Sequence, residues 1–315
     1  METQNIYDFL IVGAGCAGAS AGMYAARLNL KSAMVALLPG GLITTTHLVE
    51  NWPGIKNISG PDLATALLDH AFSYNVPLIN ETVLEIQKAV AAPAEGKQSG
   101  FIVKTKSNTY YAKTVLIATG SEWKKLGAPG ENELANKGVS YCALCDGGFF
   151  RGKTVCVVGS GDSAAKEAIL LSEFCPKVYL FVRGDKVKAE APNLKRLMEN
   201  PKIEVRFKTE IGEIMGNGKV EKVKLKSGEE IDMQAVFIAV GHLPLSGLAK
   251  QIGAELNEKG EIKINRQSET NVPGIFGAGD VCDTKFKQAI TGAAEAVTAS
   301  FFAYEYLSRT EVVFE

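Results

Sequence analysis

The chain has 315 residues, 46% of them hydrophobic and 22% charged, the balance of a globular protein long enough for two domains. A net charge of −1 gives no electrostatic ground for broad binding to nucleic acid or an anionic membrane. The apolar stretches are interrupted by Arg27 and Lys31 or are too short to span a bilayer, and the N-terminal stretch lacks the basic start and cleavage site of a signal peptide, so a cytoplasmic protein is expected.

Asp8 to Val12 read as a short buried strand that runs into Gly13-Ala14-Gly15-Cys16-Ala17-Gly18. An Ala-rich helix to about Leu28 and a strand from Ser32 to Leu38 complete a βαβ unit with its glycine turn in the position a dinucleotide site requires. Residues 91–99 read as an exposed loop. Phe101 to Thr105 and Thr109 to Tyr111 read as hairpin strands, and Thr114 to Ala118 as a buried strand ending at Thr119-Gly120.

The pattern then recurs. Thr154 to Val158 is a strand, Gly159-Ser160-Gly161-Asp162-Ser163-Ala164 a turn, and a helix to about Phe174 precedes a strand from Val178 to Val182. Val220 to Leu225 and Glu230 to Met233 flank a Ser227-Gly228 turn, and Ala235 to Val240 ends at Gly241. Farther on, Thr270 to Asp280 reads as a strand ending in a glycine–aspartate pair, followed by a small-residue helix from about Gln288 to Leu307. The expected fold is α/β, with two Rossmann-like doubly wound modules, each carrying an inserted antiparallel hairpin. The expected domains are a first part at 1–120, a nicotinamide-type domain at 121–246 carrying a Cys-x-x-Cys, and a second part of the first domain at 247–315. Two chain crossings, near Ser121 and near Pro244 to Ser246, make a natural hinge.

In such a loop the first glycine permits the tight turn, the second admits a pyrophosphate, and the third lets helix pack on strand; in the second loop Ala164 replaces the third glycine. The usual ribose acid is missing at the end of the second strand of both modules. In its place the second module has Arg183, with Lys188 nearby, and a cation there suits a 2′-phosphate: NADPH over NADH.

Cys142 and Cys145 have redox spacing. No second Cys-x-x-Cys exists, and His47, His70 and His242 show no ligand spacing, so no metal site is expected. A place at a helix start would lower a thiol pKa, and a thiolate then opens a disulfide by exchange. Asp146 adjoins the pair and can move a proton or serve as an N-cap. Cys16, Cys156, Cys175 and Cys282 read as packing.

Val49-Glu50-Asn51-Trp52-Pro53-Gly54, Cys142-Ala143-Leu144-Cys145-Asp146-Gly147, the second glycine loop, Gly279-Asp280-Val281 and Gln288-Ala289-Ile290-Thr291 occur in that order. Together they resemble the low-molecular-weight, bacterial-type thioredoxin reductases over nearly the whole chain. The resemblance implies a homodimer with FAD in each subunit, NADPH as donor, and thioredoxin or a thioredoxin-like protein as disulfide substrate. It implies FAD at Gly13, Gly15, Gly18, Gly40, Gly41, Thr46, Asn51, Val83, Gly279, Asp280, Lys287, Gln288 and Ala289. It implies NADPH at Gly159, Gly161, Asp162, Ser163, Arg183 and Lys188. Cys145 would face the flavin, Cys142 would attack the partner disulfide, and Asp146 would be the acid, with the nicotinamide domain rotating between two poses. The family's His-Arg-Arg is Val182-Arg183-Gly184 here, its following Arg is Lys188, its Gly-Gly-Gln-Leu is Gly40-Gly41-Leu42-Ile43, and its Arg-Gln-Ala is Lys287-Gln288-Ala289. Two alternatives stand beside this reading: the same dithiol fed by another donor such as ferredoxin, and a dithiol oxidase that hands electrons to oxygen.

Overall fold

The computed structural model describes residues 6–46, 49–91 and 93–314, so that His47 and Ala92 of the motifs above lie outside it. The chain forms two compact units. One comprises the N-terminal segment, Trp52–Glu122 and the chain from Leu243 onward, and the other is essentially Trp123–His242. The chain crosses between them at β8 (Ser121–Trp123) and β17 (His242–Pro244), two strands that pair with each other.

In the first unit the parallel core of the sheet runs β3 (Leu78–Ile79), β2 (Ser32–Val35), β1 (Ile6–Val12) and β7 (Thr109–Ile117), with β18 (Ile275–Gly277) also on β7. The second half of β1, Phe9 to Val12, is buried on both faces, hence its unbroken apolar run. Phe9 and Ile11 face α1 (Cys16–Arg27) and α7 (Ala289–Arg309), while Leu10 and Val12 face Ile86, Phe101, Val103 and Ile262. The two helices meet along small residues, Ala19, Ala21 and Ala25 against Ala296, Ala299 and Ala303, which lets their backbones approach closely. α1 stops where Asn29 takes a left-handed φ of 59°, with Arg27 at the negative end of its dipole.

Several elements differ from the reading of the sequence. The segments 109–111 and 114–118 are one strand, β7, whose first half pairs antiparallel with β6 (Phe101–Thr105) and whose second half pairs parallel with β18. β6 in turn pairs with β4 (Val83–Lys88), so the expected hairpin carries a third strand. β2 ends at Val35 because its partners on both sides end there, and Leu37 and Leu38 are exposed. Within 91–99, Lys97–Ser99 forms β5 beside β19 (Glu311–Val313), a pairing across more than two hundred residues that no local pattern announces.

The second unit repeats the plan. Its sheet is β12 (Ile203–Phe207), β11 (Lys177–Val182), β10 (Thr154–Val158), β16 (Ala235–Ile238) and β9 (Val139–Ser140), all parallel. Val155, Val157, Leu180 and Phe237 pack on Ala164, Ala165, Ala168 and Leu171 of α4 (Asp162–Phe174). Cys156, Val158, Phe181 and Val236 pack on an antiparallel sheet of β13 (Ile211–Met215), β14 (Lys222–Leu225) and β15 (Glu230–Asp232). The strand from Thr270 is likewise short: residues 270–274 form a turn closed by Gly274, at a φ of 83°, before β18. Among the described residues no helix is long and apolar enough to cross a membrane.

Candidate active site

In the first unit the glycine loop ends β1 and opens α1. A Cβ on Gly13 would stand 2.2 Å from Ala118 O, and one on Gly18 would stand 1.9 Å from Gly13 O, so the fold itself demands glycine at both places. Gly15 is different. Its φ of −80° is ordinary, and a Cβ there would meet Gly41 Cα only at 3.6 Å. The protein's own packing leaves room for a side chain at Gly15, and that room faces the N-terminus of α1, where N–H groups attract an anion.

Gly40 and Gly41 close over this loop: Gly40 N–H donates to Ala14 O at 2.8 Å, and both glycines have left-handed φ. From the far end of the chain, Gly279 also reaches it, since a Cβ on Gly279 would lie 3.3 Å from Ala17 Cβ. Asp280 is near enough to Cys16 to help raise that thiol, which burial pushes up to about 12. Cys16 therefore stays protonated in the neutral range. Lys287 is committed to the same turn. Its Nζ donates to Asp280 O at 2.9 Å and to Cys282 O, and pairs with Glu261 at 3.1 Å. Gln288 caps α7 in a capping box with Thr291, and Ala289 is the first residue of that helix. Glu295, which the sequence gave no reason to single out, accepts from Gly279 N–H at 2.9 Å and from the Thr284 hydroxyl.

The structure thus brings Gly13, Gly15, Gly18, Gly40, Gly41, Gly279, Asp280 and Lys287 together. Thr46 lies just after the 3-10 turn Gly41–Thr45 and accepts from Gly60 N–H, while Val83 opens β4 opposite Thr105. Asn51 groups with the second unit.

The second unit's loop shows the same contrast. A Cβ on Gly159 would meet Ala239 O at 2.5 Å, whereas one on Gly161 would have nothing within 4 Å. Ser163 is exposed in the first turn of α4. Asp162 pins the neighbouring segment: its carboxylate accepts from Glu190 N–H and Asn193 Nδ2, each at 2.9 Å, and pairs with Lys166 at 2.7 Å. The Lys166 bond leads the causes that hold this carboxyl down at about 2. Lys188 N–H donates to Ser160 O, so its backbone lies on the glycine loop, and Arg183 follows β11 directly. Both Arg183 and Lys188 are exposed cations.

Cys142 and Cys145 form a disulfide, with Cα atoms 5.3 Å apart. Cys142 is the N-cap of α3 (Ala143–Asp146), and its sulfur accepts from Cys145 N–H at 3.2 Å. The Ser140 hydroxyl donates to Asp146 Oδ2 at 2.6 Å and accepts from Cys142 N–H at 3.1 Å. Asp146 is thus held beside the pair by Ser140, and the capping falls to sulfur. On the other flank Tyr141 donates to Glu131 Oε1 at 2.7 Å and stacks on Trp123. Burial pushes the Tyr141 hydroxyl well up, so it stays a donor. Cys156 and Cys175 are buried and their thiols raised by desolvation. Ser140, Tyr141 and Glu131 are the supports that motif reading missed. Among the described residues no cluster of three or more His, Cys, Asp or Glu could hold a metal.

The arrangement is two phosphate-ready glycine loops and one disulfide on a short, sulfur-capped turn. The pattern of the pyridine nucleotide-disulphide oxidoreductases matches residues 7–296. The chain belongs to this family. It is 38% identical to the thioredoxin reductase of Bacillus subtilis (strain 168), over 99% of this chain and 98% of that one. It is also 38% identical to that of Treponema pallidum (strain Nichols), over 98% of each. The crystal structure of thioredoxin reductase from Streptococcus pyogenes MGAS5005 superposes with a TM-score of 0.88 at 37% identity, covering 97% of this chain and 99% of that one.

Proposed function

We propose that this protein is a thioredoxin reductase, a cytoplasmic homodimer that passes electrons from NADPH through FAD to the Cys142–Cys145 pair and on to the disulfide of thioredoxin or a thioredoxin-like protein. The observation that carries the reading is the Cys142–Cys145 disulfide, on a turn capped by its own sulfur, in a chain with two glycine-loop modules. The middle glycines support two dinucleotides: neither Gly15 nor Gly161 is required by the protein's packing, and both sit where a pyrophosphate would approach a helix N-terminus. Gly13, Gly15, Gly18, Gly40, Gly41, Gly279 and Asp280 would hold FAD, which supplies a two-electron relay between a nicotinamide and a disulfide. Gly159, Gly161, Ser163, Arg183 and Lys188 would hold NADPH, with Asp162 fixing the segment that carries Lys188.

The protein's own residues then do the exchange. In the reduced pair, the Cys145 N–H that faces the Cys142 sulfur favours its thiolate. That thiolate attacks the partner disulfide, forming a bond to one partner sulfur and releasing the other as a thiolate, which takes a proton. Asp146, oriented by Ser140, is the group beside the pair that can hold that proton. The Cys145 sulfur next displaces the partner from Cys142 and restores the Cys142–Cys145 bond. The pair loses two electrons and the partner disulfide gains them.

The test is NADPH oxidation by the FAD-loaded protein on adding oxidised thioredoxin. Turnover that requires thioredoxin supports the reading; flavin that NADPH cannot reduce contradicts it and favours another donor. Asp146→Asn is expected to slow thioredoxin reduction by roughly 100-fold while the disulfide still forms, measured under saturating NADPH. Arg183→Ala is expected to lower kcat/KM for NADPH by roughly 10–100-fold, the scale of one charge-assisted hydrogen bond to phosphate. Its effect on NADH should stay within about threefold, because only NADPH carries the 2′-phosphate. Equal losses with both would place Arg183 outside the phosphate site.

A further inference from the structure

The turn Gly279–Cys282 follows β18 and lies against Ala17 of the first glycine loop. One backbone bond closes it, from Cys282 N–H to Gly279 O at 2.9 Å. Two of its carbonyls, those of Asp280 and Cys282, accept from a single ammonium, Lys287 Nζ. An ammonium has three donors, and the third meets Glu261 Oε1 at 3.1 Å. Glu261 comes from another segment, whose next residue bridges the turn: Ile262 N–H donates to Val281 O, and Asp283 N–H donates to Ile262 O, each at 2.9 Å. Glu261 is itself held by Asn257, whose Nδ2 donates to Glu261 Oε2 at 2.7 Å and whose Oδ1 accepts from Glu261 N–H at 3.0 Å. The Lys287 and Glu261 side chains are only 17% and 13% exposed. Burial alone would raise the Glu261 carboxyl, but the bonds from Asn257 and Lys287 hold it below the usual range, so both partners are charged. A shielded ion pair adds little net stability once desolvation is counted, but it fixes geometry. What this pair fixes is the Gly279–Cys282 turn, tied at two carbonyls to Lys287 and through it to the 257–261 segment.

We propose that Glu261 is a positioning residue for FAD: through Lys287 it holds the Gly279–Cys282 turn in the shape that receives the cofactor. The proposal rests on the reading that Gly279 and Asp280 hold FAD. A turn closed by one backbone bond samples other shapes once its two carbonyls lose their common donor. Apparent affinity then falls by the fraction of time the receiving shape is present. Glu261 and Lys287 act as one device, so either loss has the same consequence as both.

The test is a titration of full-length apoprotein with FAD, read by flavin fluorescence at a temperature where circular dichroism shows each variant folded. Glu261→Leu and Lys287→Met are each expected to weaken FAD binding by about tenfold. The double variant Glu261→Leu/Lys287→Met should lie within about threefold of either single one, because a single clamp is lost. The double variant also exchanges the buried pair for apolar groups and leaves no lone charge, so its apoprotein should melt within about 5 °C of the unaltered one. It therefore carries the test by itself if a single variant does not fold. A double variant that binds FAD as tightly as the unaltered protein, whatever its melting temperature, overturns the proposal. So does Lys287→Met weakening FAD while Glu261→Leu leaves it unchanged, because the ammonium would then act on the cofactor directly. Losses that multiply to about a hundredfold in the double variant overturn it as well, since the two residues would act separately. An unaltered apoprotein that takes up no FAD contradicts the functional reading, and the proposal falls with it.

Discussion

Cys142→Ser is expected to abolish thioredoxin reduction, by roughly three orders of magnitude or more, while FAD stays bound and NADPH still bleaches it. A serine hydroxyl has no accessible anion near neutral pH and cannot replace sulfur in the exchange. The substitution is small and half-buried, and Cys145 N–H keeps an oxygen acceptor in place of sulfur, so the turn is retained. Cys145→Ser is expected to differ in kind. With the attacking sulfur intact and the resolving one gone, reduced protein mixed with oxidised thioredoxin should accumulate a mixed disulfide, seen by intact mass as the sum of the two chains. Trapping by Cys142→Ser and none by Cys145→Ser would reverse the two roles. A Cys142→Ser protein that turns over thioredoxin at the original rate would remove the pair from the reaction.

The second large effect separates two glycines of one loop. Gly18→Ala places a Cβ 1.9 Å from Gly13 O and 2.7 Å from its carbon, both backbone atoms that cannot swing aside. The loop can yield only by moving the start of α1, whose other residues are packed on α7. A loss of about 3 kcal/mol or more is expected, with the melting temperature falling and FAD lost as a consequence. Gly15→Ala meets no such obstacle, since its nearest neighbour is Gly41 Cα at 3.6 Å and its φ is −80°. Its apoprotein should melt within about 1 kcal/mol of the original, yet FAD affinity should drop by roughly 100-fold, because the Cβ fills the space a pyrophosphate would take. Apoprotein melting and FAD fluorescence titration on the two variants check this. Unchanged FAD affinity in Gly15→Ala would move the pyrophosphate away from this loop.

Much of this could be read in the sequence because it is local. A strand, a glycine turn and an apolar helix announce themselves through side-chain period and backbone need, and both βαβ units follow that pattern. The Cys-x-x-Cys spacing likewise places one sulfur at a helix start and the other one turn on. What was not legible depends on partners far apart in the chain. β7 looked like two strands because the two halves have different partners, β6 in one direction and β18 in the other. β5 looked like a loop because Lys97–Ser99 is polar and finds β19 only after the chain has folded. The partners of Lys287 were not legible either: its ammonium pairs with Glu261 and donates to the carbonyls of the Asp280 turn, groups brought to it by the fold. Ser140 left no trace beyond its nearness to Cys142.

The measurement that tests the central claim most directly is an anaerobic titration of the FAD-loaded, oxidised protein with NADPH, counting electrons taken up per flavin. With the Cys142–Cys145 disulfide in electronic contact with the flavin, the protein should accept two electron pairs per FAD, and the Cys142→Ser/Cys145→Ser double variant only one. A single pair in both proteins would mean that electrons never reach this disulfide.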